Sequence, residues 1–153
     1  MLQDQKIPAP ESYYTSPLVR CLQTASLTFS GLSLPADRPF APIIKELLRE
    51  NIGVHTCDRR SSKSAIHEMY PEWTFEKGFA EQDPFWDPVV RESDGAQDAR
   101  TKVVLDDVFS NDKNTYVSIS SHSGEISSIL RGKAFLQILF KVEMAANGRS
   151  DRA

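Results

Sequence analysis

The feature that most constrains this chain is a change of hydrophobic period inside residues 115–131, TYVSISSHSGEISSILR. From Tyr116 to Ser121 the composition is β-prone, with Val117 and Ile119 alternating, whereas Ile126, Ile129 and Leu130 recur at helical spacing. His122 stands at the switch. In an open α/β sheet, ligands bind in the crevice beyond the carboxyl ends of the strands, facing the amino ends of the following helices. The backbone N–H groups of Ser123, Gly124 and Glu125 would open toward that crevice, where free amides favour an anion. Two readings follow: a histidine and an anion hole sharing one place, or a buried strand-end histidine that caps backbone groups.

The rest of the chain bounds what such a unit can belong to. With 153 residues there is room for one domain with a real core, taken as 1–144, followed by a polar tail over 145–153. The 40% hydrophobic and 25% charged content is that of a soluble globular protein. A formal charge of -3 argues against a nucleic-acid surface, which needs a basic patch, although a local anion site remains compatible with it. The start, MLQDQKIPAPES, carries no apolar targeting core, and no run is long and apolar enough to span a bilayer. Cys21 and Cys57 provide at most one bridge, so the expected setting is reducing, cytoplasmic or nuclear.

Along the chain, Ser12 to Thr15 is a short β-prone piece, and Ser16-Pro17 reads as an N-cap followed by proline at the first helical position. Leu18, Leu22, Ala25 and Phe29 then draw one apolar stripe on a helix that Gly31 ends, with Arg20 on the opposite side, either solvated or aimed at an anion. Ile43 to Glu50 is periodic enough for a short helix and short enough for a strand plus turn. Ser64 to Tyr70 allows a helical turn or two. Glu72 to Asp87 reads as an irregular surface segment whose aromatic residues pack onto the body or roof a site. Asp94 to Phe109 is helical in composition, and Ala134 to Glu143 is a candidate last strand.

Three charged features are candidates for a single site: Arg20 at a helix start, Glu50 in LLREN, and His122 at a strand end. Their order along the chain is more demanding than any one of them. The segments TSPLVRCLQTA (15–25), LLRENIGVHTCDRRS (47–61) and SISSHSG (118–124) resemble the histidine phosphatase superfamily, in its phosphoglycerate-mutase-like branch and within that a fungal group. The resemblance implies a three-layer α/β/α sandwich and a phosphoryl-transfer site that uses neither metal nor cofactor. In such a site a histidine attacks phosphorus, arginines and a second histidine hold the equatorial oxygens, and a carboxylic acid protonates the leaving group. Positioning and positive charge are what phosphoryl transfer chiefly requires.

By that resemblance Arg20 is a phosphate-clamping arginine, its planar fork suited to phosphate oxygens. His122 matches the second histidine and Glu50 the proton donor, with Ser123 and Gly124 beside the phosphoryl group. Arg59 and Arg60 lie where the fungal group has a basic loop, which implies substrate contact, the alternative for either being a solvated loop charge. The implied partner is a small phosphorylated substrate, without nucleic acid or membrane. One element departs from the pattern: the only histidines are His55, His67 and His122, and none sits in the family's Arg-His-Gly, which supplies the nucleophile at the end of the first strand. The expectation is therefore a truncated domain lacking that strand and inactive as written, whose complete form hydrolyses a phosphomonoester through a phosphohistidine. The alternative is an inactive homologue or fragment that binds a phosphorylated ligand or a protein partner. Two other chemistries fit poorly. His55, Cys57 and His67 match no closed zinc spacing, and Ser121 or Ser123 adjacent to His122 lacks the elbow and the separate segments of a hydrolase triad.

Overall fold

The structure, a computed structural model, describes residues 8–132. Its elements run β1 (Ser12–Thr15), α1 (Val19–Phe29), β2 (Ile43–Ile44), two single 3-10 turns (Glu46–Leu48 and Thr56–Asp58), α2 (Lys63–Met69), β3 (Thr74–Phe75), α3 (Asp94–Asn111), β4 (Val117–Ser120) and α4 (Ser123–Gly132). The strands form one parallel sheet in the order β3-β2-β1-β4.

The layering follows from the two-residue period of a strand, which sends neighbouring side chains to opposite faces. Ile44 packs with Leu22 and Ala25 of α1, Ile66 of α2, and Trp73 and Phe79. Its neighbour Ile43 turns the other way, against Tyr14, Leu48 and the α3 residues Val104 and Val108, a cluster that Val117 and Ile119 of β4 complete. Helices α1 and α2 thus cover one face and α3 the other. The result is the three-layer α/β/α arrangement expected from the sequence. No helix among the described residues is long and apolar enough to cross a membrane.

Several local expectations are refined. The ambiguous segment after Pro42 is a two-residue strand plus a 3-10 turn, because pairing of Ile43 with Tyr14 and Ile44 with Thr15 keeps it extended. Ser16 is not the cap of α1: the capping position is Leu18, which has no side-chain capping bond, and Ser16 Oγ accepts a long 3.4 Å bond from Leu18 N while holding His122 instead. The aromatic segment after Glu72 is less irregular than its composition implies. Thr74 and Phe75 add an edge strand, Trp73 and Phe79 enter the core, and Trp86 Nε1 donates to the His55 carbonyl at 2.9 Å. The last strand expected at Ala134 to Glu143, and the tail, lie outside the described residues.

The long connection between β2 and α2 is held by buried charge rather than by regular structure. Arg49, fully buried, forms a two-pronged pair with Asp83 at 2.7 Å on each side and reaches Glu46 at 3.1 Å. Arg60 Nε bonds both oxygens of Glu46, at 3.0 and 2.8 Å, and its terminal nitrogens donate to the carbonyls of Ser61, Glu81, Ala80 and Gln82. Burial pushes the Glu46 carboxyl up against the opposing pull of Arg60 and Arg49. Burial would raise Asp83 as well, but hydrogen bonds from Arg49 and from the amides of Phe85 and Arg60 hold it well below the usual carboxylate range. Removing one member of such a network strands a buried charge. Arg60→Met is therefore expected to cost about 3 kcal/mol in urea denaturation, whereas the exposed neighbour in Arg59→Met should cost less than about 0.5 kcal/mol; equal stabilities would remove the network from the account of this loop.

Candidate functional site

Strands β1 and β4 are adjacent, parallel and in register, with Thr15 opposite Ser120, so their carboxyl ends open side by side. The next residues along each strand meet there. Ser16 N donates to the Ser120 carbonyl at 3.1 Å, and Ser16 Oγ lies 2.8 Å from His122 Nε2. His122 is buried, at 8% exposure. Burial first, then the Arg20 guanidinium, with a smaller push from Arg49, lower its pKa from 6.5 to about 4 against the pull of Glu50 and Asp58. The ring is consequently neutral at pH 7, an unpaired cation being costly in that setting. His122 is a buried strand-end residue, and it lies among the charges proposed to share its site.

Glu50 reaches the same place from the opposite side of β1. Its carboxylate accepts hydrogen bonds from its neighbour Asn51 N at 3.1 Å and from Gly124 N, at the start of α4, at 3.4 Å. A Cβ on residue 124 would lie 2.1 Å from Glu50 Oε1, so the missing side chain of Gly124 is what admits the carboxylate. One of the free amides expected at this helix start, that of Gly124, therefore already faces an acid, one supplied by the chain. Ser123 is exposed as the first residue of α4.

Arg100 suspends the Glu50 segment. From α3 its guanidinium donates to the backbone carbonyls of Leu47, Arg49 and Glu50 at 2.5, 3.2 and 3.3 Å, and pairs with Glu92 at 2.8 Å and Glu125 at 3.2 Å. Glu125 is fully buried in α4 and accepts from Thr101 at 2.9 Å and Gln97 at 3.3 Å. Ser121 Oγ adds a bond to the Leu48 carbonyl at 2.8 Å. The acid and the histidine are thus carried by segments stitched to each other through α3.

Arg20 stands in the first turn of α1 with its side chain 44% exposed, opposite the buried stripe of Leu22, Ala25 and Phe29. It is not simply solvated. Its guanidinium donates to the Cys57 carbonyl and lies 3.3 Å from Asp58 Oδ1, which aims it from the 3-10 turn at Thr56–Asp58. The structure brings Arg20, Glu50, His122 and Gly124 into one electrostatic neighbourhood. The two loop arginines separate. Arg59 is exposed, its guanidinium 5.2 Å from the Trp86 ring centre. Arg60 corrects the expectation of substrate contact: all five of its N–H donors are engaged by Glu46 and four carbonyls, and its guanidinium sits over Phe79, so nothing remains to bind a ligand. Sequence reasoning missed Ser16, Asp58 and Arg100. Ser16 was hidden by its resemblance to a cap, and Arg100 by lying in a helix whose polar residues look like ordinary surface.

With this geometry in hand, similarity to known proteins is informative. Residues 1–145 match the histidine phosphatase superfamily, branch 1. A probable phosphoglycerate mutase of Arthroderma benhamiae is 50% identical over 155 aligned positions, which cover 95% of this chain and 46% of that protein. Phosphomutase-like protein 3 of Candida albicans is 40% identical, over 80% of this chain and 38% of its own length. A probable phosphoglycerate mutase of Saccharomyces cerevisiae is 32% identical, over 80% of this chain and 47% of its own. The chain spans less than half the length of these curated relatives. No solved structure matches it. A parallel α/β/α sheet with an arginine, an acid and a histidine gathered at its carboxyl edge, in a chain matched along nearly its whole length, belongs to the histidine phosphatase superfamily, branch 1.

Proposed function

We propose that this chain carries the phosphate-holding and proton-donating part of a phosphomonoester hydrolase site. The observation that supports it most is the meeting of His122, Glu50 and Arg20 at the joined ends of β1 and β4, with a neutral imidazole and a helix start facing an acid. On this reading Arg20 and His122 hold the phosphoryl oxygens, and the amides of Ser123 and Gly124 border them. A histidine of an Arg-His-Gly segment attacks phosphorus, the bond from phosphorus to the leaving oxygen breaks, and Glu50 gives its proton to that oxygen. Water then cleaves the phosphorus–nitrogen bond, releasing inorganic phosphate and the free histidine. Positioning and electrostatics carry such a reaction.

A second reading has its own observation. The three histidines of this chain are His55, His67 and His122, none of them in Arg-His-Gly, so a catalytically silent module that binds a phosphorylated ligand is the alternative. Assay of p-nitrophenyl phosphate hydrolysis by this chain, and by a form extended upstream with an Arg-His-Gly segment, separates the two. Activity is expected in the extended form alone, and inactivity of both favours the silent module.

The histidine gives a test that does not need turnover. In the ligand-free protein the His122 ring should titrate near pH 4 by NMR, and inorganic phosphate should raise that value, because a dianion stabilises the imidazolium. The sign for stability follows from the lowered value. Between about pH 6.5 and 4 the unfolded chain binds the proton that folded His122 refuses, so stability is present above that window and declines as pH falls through it. In His122→Gln this part of the pH dependence should vanish from urea midpoints. Finally, Gly124→Ala places a methyl group against Glu50 Oε1. In the extended, active form it should lower kcat roughly 10- to 100-fold, the scale of a displacement of about 1 Å in a positioned group. Unchanged kcat would argue that Glu50 does not act from the position it holds here.

A further inference from the structure

Which nitrogen of His122 carries its proton is decided by the hydrogen bonds of one serine. Ser16 is fully buried, and its backbone is held on both sides. Ser16 N donates to the Ser120 carbonyl at 3.1 Å, and the following Pro17, also fully buried, disfavours helical angles at the residue before it. Ser16 Oγ has two partners among the described residues, Leu18 N at 3.4 Å and His122 Nε2 at 2.8 Å. The neighbouring hydroxyl of Thr15 is turned elsewhere, to the Ser16 carbonyl and the Cys21 thiol. At the other corner of the ring, Nδ1 has no protein partner among the described residues.

A neutral imidazole carries one N–H, and a serine hydroxyl donates one hydrogen bond while accepting up to two. Burial, with the charges of Arg20, Glu50, Asp58 and Arg49 around it, leaves the ring neutral at pH 7 and above. If Nε2 carried the proton, it and the Leu18 amide would fill both acceptor positions of Ser16 Oγ, and the serine O–H would be left inside the protein without an acceptor. A buried donor with no partner costs more than an ordinary hydrogen bond contributes. With the proton on Nδ1, the serine O–H donates to Nε2 and the Leu18 amide donates to Oγ, so each of these groups is satisfied. The group left over is then Nδ1–H, a donor that an anion can use. The other tautomer would turn a bare lone pair toward the anion.

We propose that Ser16 is a positioning residue that fixes the tautomer of His122, so that the ring meets a phosphoryl oxygen with Nδ1–H and keeps Nε2 turned to the serine. This rests on the reading that His122 holds a phosphoryl group. Long-range proton–nitrogen NMR of the 153-residue chain distinguishes the two ring nitrogens, and methylphosphonate serves as a probe that cannot be hydrolysed. In the ligand-free chain Nδ1 should give the signal of a protonated nitrogen and Nε2 that of a bare one. In Ser16→Ala the two signals should move toward each other as both tautomers become populated. Affinity for methylphosphonate, measured at about pH 8.5 where a histidine of ordinary pKa is neutral, should fall roughly three- to tenfold in that variant, the scale of one hydrogen bond. Ser16→Thr, which keeps the hydroxyl, should restore both readings, with thermal melting confirming that the variants fold. A proton on Nε2 in the unaltered chain would overturn the proposal without recourse to any variant, and so would a Ser16→Ala chain that folds with tautomer and affinity unchanged. If methylphosphonate leaves both ring nitrogens unmoved, the phosphoryl reading fails and carries this one with it; if the ring responds but the proton sits on Nε2, this proposal fails alone.

Discussion

Much of the candidate site hangs on one guanidinium. Arg100 ties the Leu47–Glu50 backbone to α3 through three carbonyls, and ties α3 to α4 through the fully buried Glu125. An arginine buried between two carboxylates is not a cheap way to stabilise a fold, because desolvation offsets most of the Coulomb attraction. What it provides is direction. Carbonyls at the end of a 3-10 turn have no regular partners, and a planar fork that satisfies three of them fixes where the following side chain points. That following side chain is Glu50.

A second buried network, Arg49 and Arg60 with Glu46 and Asp83, does the same for the loop that ends at Asp58 and so for the acid that aims Arg20. The site's charged groups are therefore held by charge at one remove. This division explains why neighbours in sequence differ so much in role. Arg59 and Arg60 are adjacent, yet one is exposed on Trp86 and the other is consumed inside the protein. Arg49 and Glu50 are adjacent too, one wholly structural in its contacts and one facing the helix start.

The layers of the fold were legible because they rest on period. Leu22, Ala25 and Phe29 at helical spacing mark a stripe that the hydrophobic effect must bury, and the structure buries it; Val117 alternating with Ile119 marks a strand face that packs, half-buried, against the α3 cluster. His122, Arg20 and Glu50 were legible as a set through the resemblance of three segments and would not have been singled out by charge alone. What remained hidden has no periodic signature. Arg60 and Arg59 carry the same side chain in the same loop, and only the carbonyls of Ala80 to Gln82, about twenty residues away, decide which of them turns inward. Ser16 looked like a cap because Ser-Pro commonly opens a helix, but the adjacent strand end brings a histidine within 2.8 Å, and that bond replaces capping.

The position of Glu50 also bears on how a ligand would enter. In the free protein its carboxylate rests on the Gly124 amide, the donor that a phosphoryl oxygen would use at the start of α4. On the proposed reading the two compete for one N–H, so an arriving phosphoryl group either displaces the carboxylate or meets it with a proton shared between them. The second arrangement is what a general acid requires, because the proton must already lie within hydrogen-bond reach of the ester when the bond to phosphorus breaks. The neutral His122 fits the same logic: an imidazole kept uncharged by burial and by Arg20 can take up a proton as the dianion arrives, gaining a partner for its charge at the moment the site gains a charge to hold.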